Sequence, residues 1–202
     1  MLVITGDDPD VTEYFYAHEI VHALQDAYLD PADRMEDLTG LSGDEALATL
    51  ALYEGDAFAA SNAYLADHPA LAVALLRQAQ VDFPELDAAP AAVSAVLLFP
   101  YASGLPFIER LLDEGGWQRV NAAYADPPVS TEQILHPLKY LDRDEPSHVA
   151  LPAAGDALGN GWRLVAEDTL GEFQTALLLA SLRPGEGIDA MTGEIRLPEA
   201  AR

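Results

Sequence analysis

The sequence contains no cysteine. That absence excludes a disulfide scaffold, a thiolate metal site and a cysteine nucleophile. Basic residues are scarce as well: ten Lys and Arg stand against 34 Asp and Glu, a formal net charge of −24 at pH 7, and Lys139 is the single lysine. So few cations cannot neutralise a row of phosphates, which excludes nucleic acid, and an anionic membrane surface is excluded on the same ground. The acidic runs read as solvated faces that keep the chain soluble. Long apolar runs are missing too. The longest mainly apolar stretch, Ala91 to Phe99 before Pro100, is about half a membrane span. Met1 to Thr5 has neither the basic segment nor the length of a secretion signal. No membrane span is expected, and the localisation stays open: cytoplasmic if Met1 is the natural start.

What is present is enough for a core. Half of the 202 residues are apolar, as in ordinary globular proteins. Leu2 to Thr5 reads as a short strand ending at Gly6-Asp7-Asp8-Pro9, with Asp10 or Thr12 capping the helix that follows. Val11, Phe15, His18, Val21, His22, Gln25 and Leu29 then recur at helical spacing, up to Asp30-Pro31. Ser42 or Asp44 caps a second helix over Asp44 to Ala66, and Asp67-His68-Pro69 breaks it. A third helix is expected over Ala70 to Gln80, then a linker over Asp82 to Pro90 and a buried helix over Ala91 to Phe99. Pro100 to Pro106 reads as a break before a helix over Phe107 to Asp113. Gly115-Gly116 separates that helix from Trp117 to Tyr124. A short helix opens at Ser130-Thr131-Glu132, and Pro137 limits it. His148 to Pro152 and Trp162 to Val165 read as short strands, Leu170 to Leu182 as a last helix, and Arg183 to Arg202 as a loose tail. The class is mainly α, in the α+β sense. His68 and His148 read as surface residues, Trp117 and Trp162 as core.

Chemistry concentrates in one place. His18-Glu19-Ile20-Val21-His22 is an HExxH pattern on a helix. Residues four apart stack on one helical face, so both imidazoles can address one ion. Glu19 stands about 100° around the helix from His18, where a general base borders a metal-bound water without ligating the ion.

A zinc centre requires a third protein ligand. The metzincin continuation is absent: its histidine position is Tyr28 and its glycine position is Gln25. Glu54 interrupts an apolar helix, where a carboxylate is costly unless paired or metal-bound. Glu45 is an alternative, but it falls in a first turn, where the helix dipole already favours an acid. Asp30 is a third.

HExxH followed by a glutamate on a downstream helix resembles the gluzincin pattern of zinc peptidases. His18 to Asp26 and Glu54-Gly55-Asp56-Ala57 are similar to a largely uncharacterised family of bacterial zincin-like proteins. Gly115-Gly116-Trp117, Ser130 to Tyr140 and Asp168 to Glu172 match further segments of that family. The resemblance implies a zincin-like, two-lobed fold in which Leu2 to Thr5 is a reduced N-terminal β element. Residues 1–66 would form the catalytic lobe, 67–184 a helical second lobe with short strands, and 185–202 a C-terminal tail.

The resemblance further implies Zn2+ held by His18, His22 and Glu54, with Glu19 as base. The activity would be hydrolysis of a peptide or protein substrate by zinc-activated water. Asp56 and Asp26 are candidates to hold the histidine ligands. His136, Tyr140 and Tyr101 are candidates to donate to the oxyanion, and His136 is the first choice. Two alternatives stand beside the peptidase. One is a catalytically inactive zincin-like domain that binds metal or a partner. The other is a zinc hydrolase acting on a non-peptide amide.

Overall fold

Helices make up nearly all that the computed structural model describes, namely residues 9–29, 37–78, 88–149, 158, 161–181, 187–188 and 195–196. The expected strand Leu2 to Thr5, the Asp30 ligand alternative and residues 82–87 of the expected linker lie outside these residues. Helix α1 (Pro9–Tyr28) opens on a proline whose preset φ suits a first helical position. It therefore already contains Asp10 and Thr12, the two expected caps.

Helix α2 (Gly43–Asp67) is capped by Ser42. The Ser42 hydroxyl accepts from the Glu45 amide, and the Glu45 carboxylate accepts from the Ser42 amide at 3.1 Å. This reciprocal box satisfies two donors that the first turn leaves orphaned. The neighbouring Asp44 is buried and accepts from the Thr131 amide and hydroxyl at 3.1 and 2.6 Å. It ties α2 to the start of α5 (Thr131–Leu135). The His68 amide closes α2 on Leu65, and Pro69 opens α3 (Pro69–Gln78).

Helix α4 (Ala91–Ala125) departs most from expectation, because it runs straight through Pro100 and Pro106. An interior proline removes a hydrogen bond and costs about 3 kcal/mol. Here tertiary packing outweighs that cost: Phe99, Pro100, Ser103, Gly104, Phe107, Ile108 and Leu111 are all buried, several against α2. The apolar stretch is accordingly longer than Ala91 to Phe99. By length and composition α4 is apolar enough to cross a membrane, although 44% of its most apolar window is buried inside the protein. The expected interruption at Gly115-Gly116 is present as a kink, with Gly116 at φ 63°, a conformation that glycine adopts without strain.

Helices α5, α6 (Pro137–Asp142) and α7 (Glu172–Ser181) complete the helical set. One apolar cluster joins Leu52 of α2, Phe99 and Phe107 of α4, Ile134 of α5 and Phe173 of α7, so side chains from both sides of residue 66 share it. The strand expected at Trp162 to Val165 is irregular chain with exposed side chains. Trp162 is therefore not a core residue, and Trp117, just after the kink in α4, is exposed as well. His148 and Val149 are irregular too. Neither expected strand has a partner strand among the described residues, and an isolated apolar run has no ladder to join. The tail instead supplies the described strands, β1 (Gly187–Ile188) and β2 (Ile195–Arg196), which pair antiparallel. Two residues carry too little alternation to be read from sequence.

Candidate metal centre

Three features bring α1, α2 and α4 to one point. The i, i+4 spacing on α1 puts His18 and His22 on the face turned to α2. Gly55 follows Glu54 and lies against Gly104 of α4: a Cβ built on Gly55 would stand 2.3 Å from the Gly104 carbonyl carbon, and one on Gly104 would stand 2.2 Å from the Ala51 oxygen. Two missing side chains thus let the backbones of α2 and α4 touch. One turn before Gly104, Tyr101 is thereby carried to Glu54.

The three expected ligands converge. His18 Nε2 is 3.2 Å from Glu54 Oε2, His22 Nε2 is 3.4 Å from the same oxygen, and the two Nε2 atoms are 3.1 Å apart. Ligand atoms bonded at about 2.0–2.1 Å to one ion stand about 2.9 Å apart along an octahedral edge and about 3.3–3.4 Å along a tetrahedral one. The triangle falls in that interval, so this group can hold a metal ion. Among the described residues it is the cluster of three metal-ligating side chains that does so. The donor set fits as well, with two neutral-capable imidazoles and one carboxylate. His18 is buried, and its Nδ1 has no partner among the described residues. Phe58 packs edge-on against its ring with centroids 5.0 Å apart.

Electrostatics follow from the same contacts. Burial alone would raise the Glu54 carboxyl, but hydrogen bonds from His18 and His22 outweigh it and hold the group at about 2. The Glu54 hydrogen bond raises His22 above its usual value, against the opposing effect of burial. Glu54 Oε1 accepts from the Tyr101 hydroxyl at 3.2 Å. Burial, with the Glu54 and Glu19 carboxylates nearby, pushes the Tyr101 phenol up to about 12, so at neutral pH it stays a donor. Glu19 is partly buried and close enough to raise both His22 and Tyr101.

A buried polar chain supports His22 from behind. Its Nδ1 lies 2.8 Å from Gln25 Oε1. The Gln25 amide group donates to the Tyr53 carbonyl at 3.1 Å and to Asp56 Oδ2 at 2.9 Å. The Tyr124 hydroxyl donates to the same Asp56 oxygen at 2.6 Å. Burial and the facing Asp56 push the Tyr124 phenol far above its ordinary range.

Several expectations change here. Glu45 belongs to the capping box and is not among the clustered ligands. Asp56 reaches His22 through Gln25, and Asp26 is exposed. His136 is not brought to the cluster. Its amide closes α5 on Glu132, and its Nε2 is 3.0 Å from Glu172 Oε1. That pair belongs to the Asp44 end of α2, ten residues or about 15 Å along the axis from Glu54. Tyr140 is turned away as well, donating to the Asp126 carbonyl at 2.8 Å. Of the three oxyanion-donor candidates, Tyr101 is the one beside the ligands. Gln25 and Tyr124 were not singled out by sequence. The available signal was a polar Gln25 on the apolar face of α1, one turn after His22. No protein-family model, curated protein or solved structure matches the chain.

Proposed function

We propose that the protein is a zinc-dependent peptidase of gluzincin type, with residues 1–66 as its zincin-like catalytic lobe and the helices after residue 66 as the second lobe. The observation that carries this reading is the His18–His22–Glu54 triangle with Glu19 beside it. Two imidazoles and a carboxylate are a donor set typical of catalytic zinc with an open fourth position. A zinc ion held there would supply a polarising charge for a substrate carbonyl and would acidify a water. The remaining chemistry belongs to the chain. Glu19 accepts the proton of the attacking water and returns it to the leaving amine. Tyr101, kept neutral, turns its O–H from Glu54 to the developing oxyanion.

The test pairs elemental analysis with cleavage of an unstructured protein, with Glu19→Gln beside the wild type. The expected result is about one zinc per chain in both proteins and a loss of turnover of roughly 10²–10⁴-fold or more in the variant. Equal turnover in the two proteins rules the mechanism out.

A second reading, a metal-binding or partner-binding domain without turnover, has one observation in its favour. Ile20 and Leu24 of the motif helix are exposed large apolar side chains, which suit a partner as well as a substrate. On that reading chelation lowers the melting temperature and no peptide is cut.

A further inference from the structure

A histidine that ligates through Nε2 must carry its proton on Nδ1, and something must hold it in that tautomer. On α1 that group is identifiable without assuming which end of the Gln25 amide is which. One end of Gln25 faces two acceptors, the Tyr53 carbonyl and the Asp56 carboxyl oxygen, at 3.1 and 2.9 Å. Only an NH2 satisfies both, so the other end, 2.8 Å from His22 Nδ1, is the oxygen. An oxygen there can only accept. His22 therefore presents an N–H at Nδ1. The acceptor end is in turn secured from the far side, because the Tyr124 hydroxyl also donates to Asp56 Oδ2 and so occupies it as an acceptor.

We propose that Gln25 is a positioning residue of the metal centre: clamped by Tyr53 and Asp56, it accepts a hydrogen bond from Nδ1–H of His22 and so leaves the Nε2 lone pair of that histidine for the metal. The inference rests on the metal-binding reading of the His18–His22–Glu54 group. Gln25 makes no contact with the reacting atoms. It is buried; its hydrogen bonds to His22, Tyr53 and Asp56 lie on α1 and α2, and the Tyr124 hydroxyl of α4 stands beside it. The sequence therefore carries a composite element in which the residue three after the second histidine and the residue two after the glutamate act as one unit.

The experiment uses the full chain, wild type and Gln25→Met, a change that keeps length and removes the acceptor. Imidazole ¹⁵N shifts of metal-free protein at about pH 9, above the ordinary histidine range, read the His22 tautomer, and competition with a chelator reads Zn2+ affinity. Wild type is expected to show Nδ1–H at His22. The variant is expected to gain the Nε2–H form there with His18 unchanged, and to bind zinc about 10- to 100-fold more weakly with its helical circular dichroism retained. A variant with wild-type tautomer and affinity overturns the proposal. So does a wild-type His22 found as Nε2–H, which decides the matter even if Gln25→Met fails to fold. A wild type that takes up no zinc overturns the metal reading itself, whereas zinc uptake indifferent to Gln25 overturns this inference alone.

Discussion

Tyr101 donates its hydroxyl to Oε1 of Glu54 at 3.2 Å, while Oε2 of the same carboxylate faces both imidazoles at 3.2 and 3.4 Å. One residue thus serves two elements: its inner oxygen completes a ligand triangle and its outer oxygen parks a proton donor from α4. If the group holds a metal, this division leaves Oε2 of Glu54 to bind it while Oε1 stays with Tyr101.

Tyr101→Phe is therefore expected to keep metal stoichiometry and lower kcat by about 10²–10³-fold, the usual effect of losing one oxyanion donor. His136→Ala is expected to leave kcat within about twofold, since its partner is Glu172 at the other end of α2 and exposed pairs contribute little. Steady-state kinetics on a cleavable peptide checks both. A large loss in His136→Ala with none in Tyr101→Phe would reverse the assignment.

The ligand triangle makes its own prediction. His22→Ala and Glu54→Ala each leave two protein ligands, one short of the usual catalytic zinc set. Elemental analysis of untagged protein is expected to fall from about one metal per chain to a small fraction in both variants. Glu45→Ala should retain the metal and lose about 1 kcal/mol of stability through its capping box. Retention of a full equivalent by Glu54→Ala would remove that residue from the centre.

The metal-free protein should show a pH signature of the Glu54–histidine pair. Glu54 is lowered from 4.5 to about 2, so its contribution to stability is complete above 4.5 and disappears as the pH falls from there toward 2. His22 is raised above 6.5, so its contribution is complete below 6.5 and disappears as the pH rises through the raised value. The melting temperature relative to Glu54→Gln should be highest between those limits and converge on both sides. The other carboxylates are common to the two proteins, so the difference isolates the pair. Metal affinity should run the other way on the upper side, strengthening as His22 loses its proton. Parallel melting curves across the whole range would show that the pair carries no stability.

Gly104→Ala tests how the site is assembled. A Cβ there meets the Ala51 oxygen at 2.2 Å, so α2 and α4 must separate. The expected cost is about 1–3 kcal/mol or more, read as a lower melting temperature. Tyr101 would retreat from Glu54, so kcat should fall further than zinc affinity. An unchanged melting temperature would mean that the helices do not depend on this contact.

The HExxH spacing determined by itself that two imidazoles share a face of α1, because 3.6 residues per turn is a local property of the chain. Glu54 could be singled out for a related reason, since a carboxylate inside an apolar helix requires a partner wherever that helix packs. The Ser42–Glu45 start of α2 and the Gly115-Gly116 kink are equally local, the first encoded by two side chains within a single turn and the second by glycine's freedom at positive φ. The course of α4 was not local. Pro100 and Pro106 argue for a break, and only the burial of Phe99 and Phe107 against other helices reverses that preference. The oxyanion-donor candidates were undecidable for the same reason. His136 is the first choice from sequence, but which of Tyr101, Tyr140 and His136 reaches the cluster depends on packing, and the contact of Gly55 with Gly104, two residues 49 positions apart, brings Tyr101 to it. Gly55 and Gly104 show on their own only that a side chain is missing. Which backbone fills that space is a property of the packed core, and it decides which proton donor the site receives.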